Sequence, residues 1–333
     1  MQHTVRRTSR VSESILECIG DTPLVKLHDF SQSVGVTVLA KLEGANPGQS
    51  AKDRIALEMV NTMERDGLLL PNGTIIETTS GNTGFALAMI AAVRNYRCVL
   101  CTNDKISQSK LDALRALGAE VIVCPSKVPA EHPDSYYERA KALQRTTPNS
   151  VYVNQYFNPG NPAAHYVTTG PEIWHQTGGD LTHFVAPVGT GGTISGTGQY
   201  LKKQDPLVQV IGIDAYGSVL TKFHAEREFD AAQIHPYLLE GVGKNIVPDN
   251  VDFDTIDVMI QVGDRESAHE ARELAREEGI LLGFSSGAVL AGIRRLAVKL
   301  PSDAVVVALM SDHGSKYFEK IFNDDWMRDN GLL

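Results

Sequence analysis

A chain of 333 residues is long for one hydrophobic core and natural for two packed lobes. Hydrophobic content of 42% against 21% charged excludes wholesale disorder, and a net charge of -9 without a compact basic block argues against nucleic acid as the main partner. No apolar run approaches the roughly 20 residues of a membrane span, and the opening MQHTVRRTSR lacks the apolar stretch of a signal peptide, so a cytoplasmic protein is expected.

Residues 1–12 are polar and read as a loose arm. After the breaker Gly20-Asp21-Thr22-Pro23, the branched segment 36–42 predicts a strand that delivers the chain to the turn Ser50-Ala51-Lys52-Asp53-Arg54. From Lys52 the apolar positions Ile55, Leu57, Met59, Val60 and Met63 predict a helix ending near Asp66-Gly67. Asp53 in its first turn complements the helix dipole, and Arg54 either braces the turn or meets an anion. A strand at 74–77, the small-residue turn Thr78-Thr79-Ser80-Gly81-Asn82-Thr83-Gly84 and a helix over 85–93 follow. The unit then repeats, with strand 98–101, helix 107–117, strand 120–124 and a charged helix over 136–144.

Of the four cysteines, Cys18, Cys98, Cys101 and Cys124, only Cys98 and Cys101 form a C-x-x-C. They share a strand, where alternation sends the two sulfurs to opposite faces. No disulfide framework and no metal site are expected.

Residues 125–133 and 148–162, rich in Pro, Asn and Ser, predict long loops, the second carrying Asn154-Gln155-Tyr156. A helix near 170–174 precedes strand 184–188, the turn Gly189-Thr190-Gly191-Gly192-Thr193 and a helix through Tyr200. Strand 210–214, helix 264–278, a helix opening at Ser285-Ser286-Gly287 and a last strand at 304–310 complete the series. The semi-apolar tail 321–333 is expected to pack on the body. Short branched strands alternating with periodic helical segments predict a parallel sheet covered by helices, an α/β fold.

Three turns and one lysine carry the chemistry. A phosphate asks for clustered backbone N–H groups at a helix start with little side-chain bulk, which 189–193 offers, with hydroxyls from Thr190 and Thr193. A tight structural turn is the plain alternative. A dinucleotide site fits poorly, because the spacing departs from G-x-G-x-x-G, and a P-loop is excluded because no lysine follows the glycines. The turn 79–84 suits an amino-acid carboxylate, through the hydroxyls of Thr79, Ser80 and Thr83 and the amide of Asn82. Ser285 or Ser286 places a neutral hydroxyl where a pyridine nitrogen can meet it, which suits elimination at a β carbon better than transamination. Lys52 is then the lysine that holds pyridoxal phosphate (PLP) as a Schiff base.

Together these segments resemble the fold-type II PLP enzymes of the cysteine synthase and cystathionine β-synthase family, from about Ile15 to the C-terminus. The lysine motif matches Ser50-Ala51-Lys52-Asp53-Arg54, and Thr79-Ser80-Gly81-Asn82-Thr83-Gly84 matches the substrate-carboxylate loop. Gly189-Thr190-Gly191-Gly192-Thr193 matches the phosphate cup, and Ser285 most nearly matches the pyridine-nitrogen ligand, with Ser286 as the fallback. The phrases Ala92-Val93-Arg94-Asn95-Tyr96, Asn158-Pro159-Gly160-Asn161-Pro162 and Glu240-Gly241-Val242-Gly243 lean toward the cystathionine β-synthase catalytic core.

The resemblance implies a tryptophan synthase β-like fold with two open twisted sheets and the active site between lobes. It implies that 13–44 packs with the larger lobe, that 45–147 forms the smaller lobe with a mobile part near 98–145, and that 148–333 forms the larger, cofactor-binding lobe. Lys52 is the implied catalytic residue. The implied cofactor ligands are Lys52, Asn82, Gly189, Thr190, Gly191, Gly192, Thr193 and Ser285, and the implied substrate ligands are Thr79, Ser80, Thr83, Gln155 and Gly241. The implied activity is β-replacement on L-serine, with homocysteine as thiol, forming L-cystathionine and water. Lys244-Asn245-Ile246 stands where the cystathionine-forming branch has an aromatic and acidic pair. Cysteine synthase activity on O-acetyl-L-serine and sulfide, or sulfide-producing β-replacement of cysteine, is therefore the alternative. A homodimer without haem or regulatory domains, acting on small amino-acid and thiol substrates, is the accompanying expectation.

Overall fold

The computed structural model describes residues 11–79, 81–129 and 131–333. Apart from Val11 and Ser12, the arm expected over 1–12 lies outside them, as does Ser80. The chain begins with strand β1 (Leu24–Lys26), helix α1 (His28–Val34) and β2 (Thr37–Leu42), then enters α2 (Lys52–Arg65). The predicted apolar stripe of α2 buries Ile55, Ala56, Met59, Val60 and Met63 at helical spacing.

The smaller sheet is all parallel, in the order β5-β4-β3-β6. Its strands are β3 (Thr74–Thr78), β4 (Arg97–Asn103), β5 (Glu120–Cys124) and β6 (Ser150–Tyr152), joined by α3 (Asn82–Arg94), α4 (Gln108–Ala116) and α5 (Tyr136–Thr146). Both faces are covered, which is what continuous apolar strands need. Cys98 and Leu100 pack with Ile75 on the α2 and α3 side, while Val99 and Cys101 pack with Ile76 and Ala140 on the other. Burial pushes both thiols up to about 12, so neither is a thiolate at neutral pH.

Strand β6 corrects the expected loop and the expected boundary at 147. Val151 registers with Ile75, so the smaller sheet keeps the chain until Tyr152. Three residues flanked by Asn and Pro are too short to show period-2 alternation, and pairing with β3 decides the conformation.

The chain then forms α6 (Gly160–Val167) and α7 (Thr169–Thr177) and builds the larger sheet with β7 (His183–Pro187), α8 (Gly192–Gln204), β8 (Gln209–Ala215) and α9 (Leu220–Glu226). Strand β9 (Val258–Val262), unread in the sequence, precedes α10 (Asp264–Glu277), α11 (Phe284–Ala297), β10 (Val305–Met310) and α12 (Asp324–Asp329). The order is β1-β2-β10-β7-β8-β9, parallel except for β1 against β2. Segment 13–44 thus supplies two strands of the larger sheet. Val185 points to the α10 and α11 side, and Phe184 and Ala186 to the opposite side with Ile194. Ile321, Met327 and Leu332 of the tail are buried in the first of these cores. Among the described residues no helix is long and apolar enough to cross a membrane.

Candidate active site

Ligands of open parallel sheets bind beyond the carboxyl ends of the strands, where loops and helix N-termini converge. A cavity of about 300 Å³ lies there, lined by residues from both lobes. Lys52 reaches it from the first residue of α2. The Ala51 N–H donates to the Ser311 carbonyl (2.9 Å), and Ser50 bridges Asp312, so the lysine turn is sewn to the end of β10. Burial lowers the Lys52 pKa below the ordinary lysine value; the Asp312 carboxylate opposes that effect, and the Lys244 ammonium adds to it. An amine so placed spends more time neutral, which both carbonyl attack and proton abstraction require.

Thr79, Gly81, Asn82, Thr83 and Gln155 form one wall. The Thr83 hydroxyl donates to Gln155 Oε1 (2.6 Å), which leaves the Gln155 amide N–H groups for another acceptor. Behind them Glu77 is fully buried, accepting from the backbone N–H groups of Thr78 (2.7 Å) and Gln155 (3.2 Å). Burial pushes its carboxyl up to about 7. Asn82 is held at both ends: its Nδ2 donates to Asp312 Oδ2 (2.7 Å) and its Oδ1 accepts from Lys316 Nζ (2.7 Å).

Gly189, Thr190, Gly191 and Thr193 form the opposite wall, with Gly192 as the first residue of α8. Gly191 has φ of +90°, and a Cβ there would overlap Val251. A Cβ on Gly192 would overlap the Asn161 side chain. The cup therefore presents bare backbone, and the first-turn N–H groups of α8 have no intrahelical acceptor. Asn161 Nδ2 donates to Thr190 Oγ1 (3.0 Å), leaving the Thr190 hydroxyl proton for a ligand. The Thr193 hydroxyl lies 3.0 Å from His165 Nε2, and burial keeps that histidine neutral.

Ser285 and Gly241 close the third side, and Ser285 is buried at the start of α11. Ser286 is buried away from the lining, its hydroxyl without a hydrogen-bond partner.

The wall also holds Glu240 and Lys244, from the loop the sequence set beside the second substrate, and Lys110, Asp312, Lys316 and Tyr317, to which the sequence reading gave no site role. Asp312 carried one usable signal: it follows the last parallel strand, at the carboxyl end where sites form. Lys110 and Lys316 sit in polar stretches indistinguishable from solvated faces.

A family model described as "Pyridoxal-phosphate dependent enzyme" matches residues 15–312. The chain belongs to that family. It is 41% identical over 337 residues to a cystathionine β-synthase of Apis mellifera, a match covering 99% of this chain and 66% of that relative's length. To cysteine synthase 1 of Emericella nidulans it is 37% identical over 321 residues, covering 96% of this chain and 86% of the relative. A solved hydrogen sulfide-producing enzyme from Fusobacterium nucleatum superposes with a TM-score of 0.84 at 33% identity, over 93% of this chain and 99% of the other. These matches identify a fold-type II enzyme of the cystathionine β-synthase and cysteine synthase kind.

The cofactor of the family is pyridoxal phosphate, and the cavity suits it on three counts. Bare backbone at a helix N-terminus fits a phosphate monoester, a half-buried amine on the same cavity fits the aldehyde, and a buried neutral hydroxyl at Ser285 fits the pyridine nitrogen.

Proposed function

We propose that this chain catalyses β-replacement on L-serine, with homocysteine as the thiol, forming L-cystathionine and water. The observation that carries the reading is the convergence on one cavity of Lys52, the neutral-donor wall of Thr79, Thr83 and Gln155, and the bare glycine cup. The choice of substrate pair rests on the similarity to cystathionine β-synthase along nearly the whole of this chain.

When bound, PLP supplies an electron sink conjugated to the α carbon of the amino acid. The chain's own residues do the rest. The Thr79 and Thr83 loop, with Gln155, binds and orients the serine carboxylate, and Asn82, its amide held by Asp312 and Lys316, is the residue of that loop that would hold the cofactor. Lys52 takes the α-proton and, as an ammonium, hands a proton to the departing hydroxyl, which leaves as water. The neutral Lys52 then accepts the thiol proton as sulfur bonds to the β carbon, and returns it to the α carbon. Closure of the smaller lobe excludes water from the β carbon between these steps. The Ser285 hydroxyl accompanies the ring nitrogen. Ser285→Ala is expected to retain PLP by visible absorption while turnover falls roughly threefold to tenfold, the worth of one neutral hydrogen bond. Unchanged turnover removes the serine from this role.

A second reading, cysteine synthesis from O-acetyl-L-serine and sulfide, is supported by the 37% identity to a cysteine synthase over 96% of this chain. Sulfide-producing β-replacement of cysteine is its close variant. Product identification by mass spectrometry separates the readings, offering serine, cysteine and O-acetylserine each with homocysteine, cysteine or sulfide. Cystathionine from serine and homocysteine is the expected product. Turnover confined to O-acetylserine and sulfide overturns it in favour of cysteine synthesis.

A further inference from the structure

Most ammonium groups on the cavity wall are already matched. Lys110 Nζ lies 2.8 Å from Glu240, which also pairs with Lys320. Lys316 donates to the Gly48 carbonyl (2.8 Å) and to Asn82 Oδ1, and faces the Asp312 carboxylate. Lys52 is assigned to the cofactor. Lys244 is different: it makes no ion pair among the described residues. Its Nζ lies 3.3 Å from the Tyr156 hydroxyl and 5.0 Å from the centroid of the same ring. The phenols of Tyr137 and Tyr237 and the ammonium of Lys52 also act on it. Neutral hydroxyls and a π face satisfy a desolvated ammonium only in part, and an anion completes such a site.

The backbone fixes this ammonium in place. The Lys244 N–H donates to Ser218 Oγ (2.9 Å), its carbonyl accepts from the Val219 N–H (2.9 Å), and the Gly243 N–H donates to the Val188 carbonyl (2.8 Å). The side chain therefore stands on a strand-anchored loop, and its loop also brings Gly241 to the cavity. The neutral-donor wall is assigned to the first substrate's carboxylate and the glycine cup to the cofactor phosphate. The group left for Lys244 is the anionic end of the second substrate.

We infer that Lys244 is a specificity-determining residue whose ammonium receives the carboxylate of an amino-acid thiol, so that the enzyme prefers thiols carrying a carboxylate to the same thiols without one. The inference rests on the β-replacement reading and names the second substrate's class. Free sulfide has no group for this site.

The test compares thiol pairs matched except for the carboxylate: homocysteine against 3-mercaptopropylamine, and cysteine against cysteamine, in the PLP-loaded enzyme with serine and with O-acetylserine. The wild type is expected to favour the carboxylate member of each pair it uses. Lys244→Met is expected to lower that ratio of kcat/KM by roughly 10- to 100-fold, chiefly through the KM of the thiol, and Lys244→Arg to restore most of it. An unchanged ratio in Lys244→Met overturns the inference. So does a rise confined to the KM of serine or O-acetylserine, which assigns the ammonium to the first substrate or its leaving group. A loss of bound PLP, read from visible absorption and phosphorus NMR, also overturns it and assigns the ammonium to the cofactor phosphate. If the wild type uses cysteine rather than homocysteine, the cystathionine reading falls while the cysteine and cysteamine ratio still tests Lys244. If it uses sulfide alone, both fall.

Discussion

Replacing Lys52 with alanine is expected to yield a folded protein that, supplied with PLP, lacks the visible absorption of covalently held cofactor and turns over roughly 100- to 10,000-fold more slowly, the span a general base contributes. The expectation follows from position. Lys52 opens α2, so its backbone needs no side chain to complete the helix, and alanine is the best helix former in its place. The turn is held by the Ala51 N–H on Ser311 and by Asp53 accepting from the Gly48 N–H (2.5 Å), neither of which involves the lysine side chain. Removing this amine also relieves the desolvation that lowers its pKa, so the thermal midpoint is expected to hold or rise. Near-ultraviolet circular dichroism and the visible spectrum of one sample check both halves. A variant that keeps the visible band identifies another amine as the attachment point.

What the sequence made legible is what is local. The glycine cup, the carboxylate loop and the lysine turn are contiguous motifs at helix starts, and Lys52, Thr79, Asn82, Thr83, Gly189, Thr190, Gly191 and Thr193 from them line a common cavity. The second tier is not contiguous. Asp312 meets Asn82 across 230 positions of sequence and Lys244 meets Tyr156 across 88, so no window of the chain contains either pair. The same distance effect hid β6 and β9. Both are edge strands, where burial is partial and pairing with a neighbour decides the conformation more than propensity does. Helix α2 was legible because its stripe repeats over four turns and buries against one core.

Arg54 shows where a local reading stops. Its place beside Lys52 left two uses open, bracing the turn or meeting an anion, and the fold combines them. The guanidinium is buried between two carboxylates: Nε and Nη2 donate to Glu43 (2.7 and 2.8 Å), and Nη1 and Nη2 donate to Glu172 (2.5 and 2.8 Å). Lys41 of β2 pairs with the same Glu172 of α7 at 2.6 Å, and the Thr22 hydroxyl donates to Glu43 (2.7 Å). The network therefore ties the lysine-bearing helix to the first strands and to α7. Arg54→Met is expected to cost about 3–5 kcal/mol, because it leaves the fully buried Glu43 without its charge partner while the methylene stem still fills the space.

The sign of the pH dependence follows from the two carboxyls. Burial acts to raise both, yet Arg54 holds Glu43 below its ordinary 4.5, and Arg54 with Lys41 does the same for Glu172. Groups with depressed folded values stabilise above the unfolded pKa and lose that contribution as pH falls through the folded value. The gap in unfolding midpoint between wild type and Arg54→Met is therefore expected to be full at neutral pH and to narrow below about 4.5, the unfolded value. Adding Glu43→Gln to the variant removes the stranded charge and is expected to recover part of the loss at neutral pH. A single variant as stable as wild type, or a double variant no better than the single, shows that Glu43 keeps its charge by other contacts and that Arg54 is dispensable to the turn.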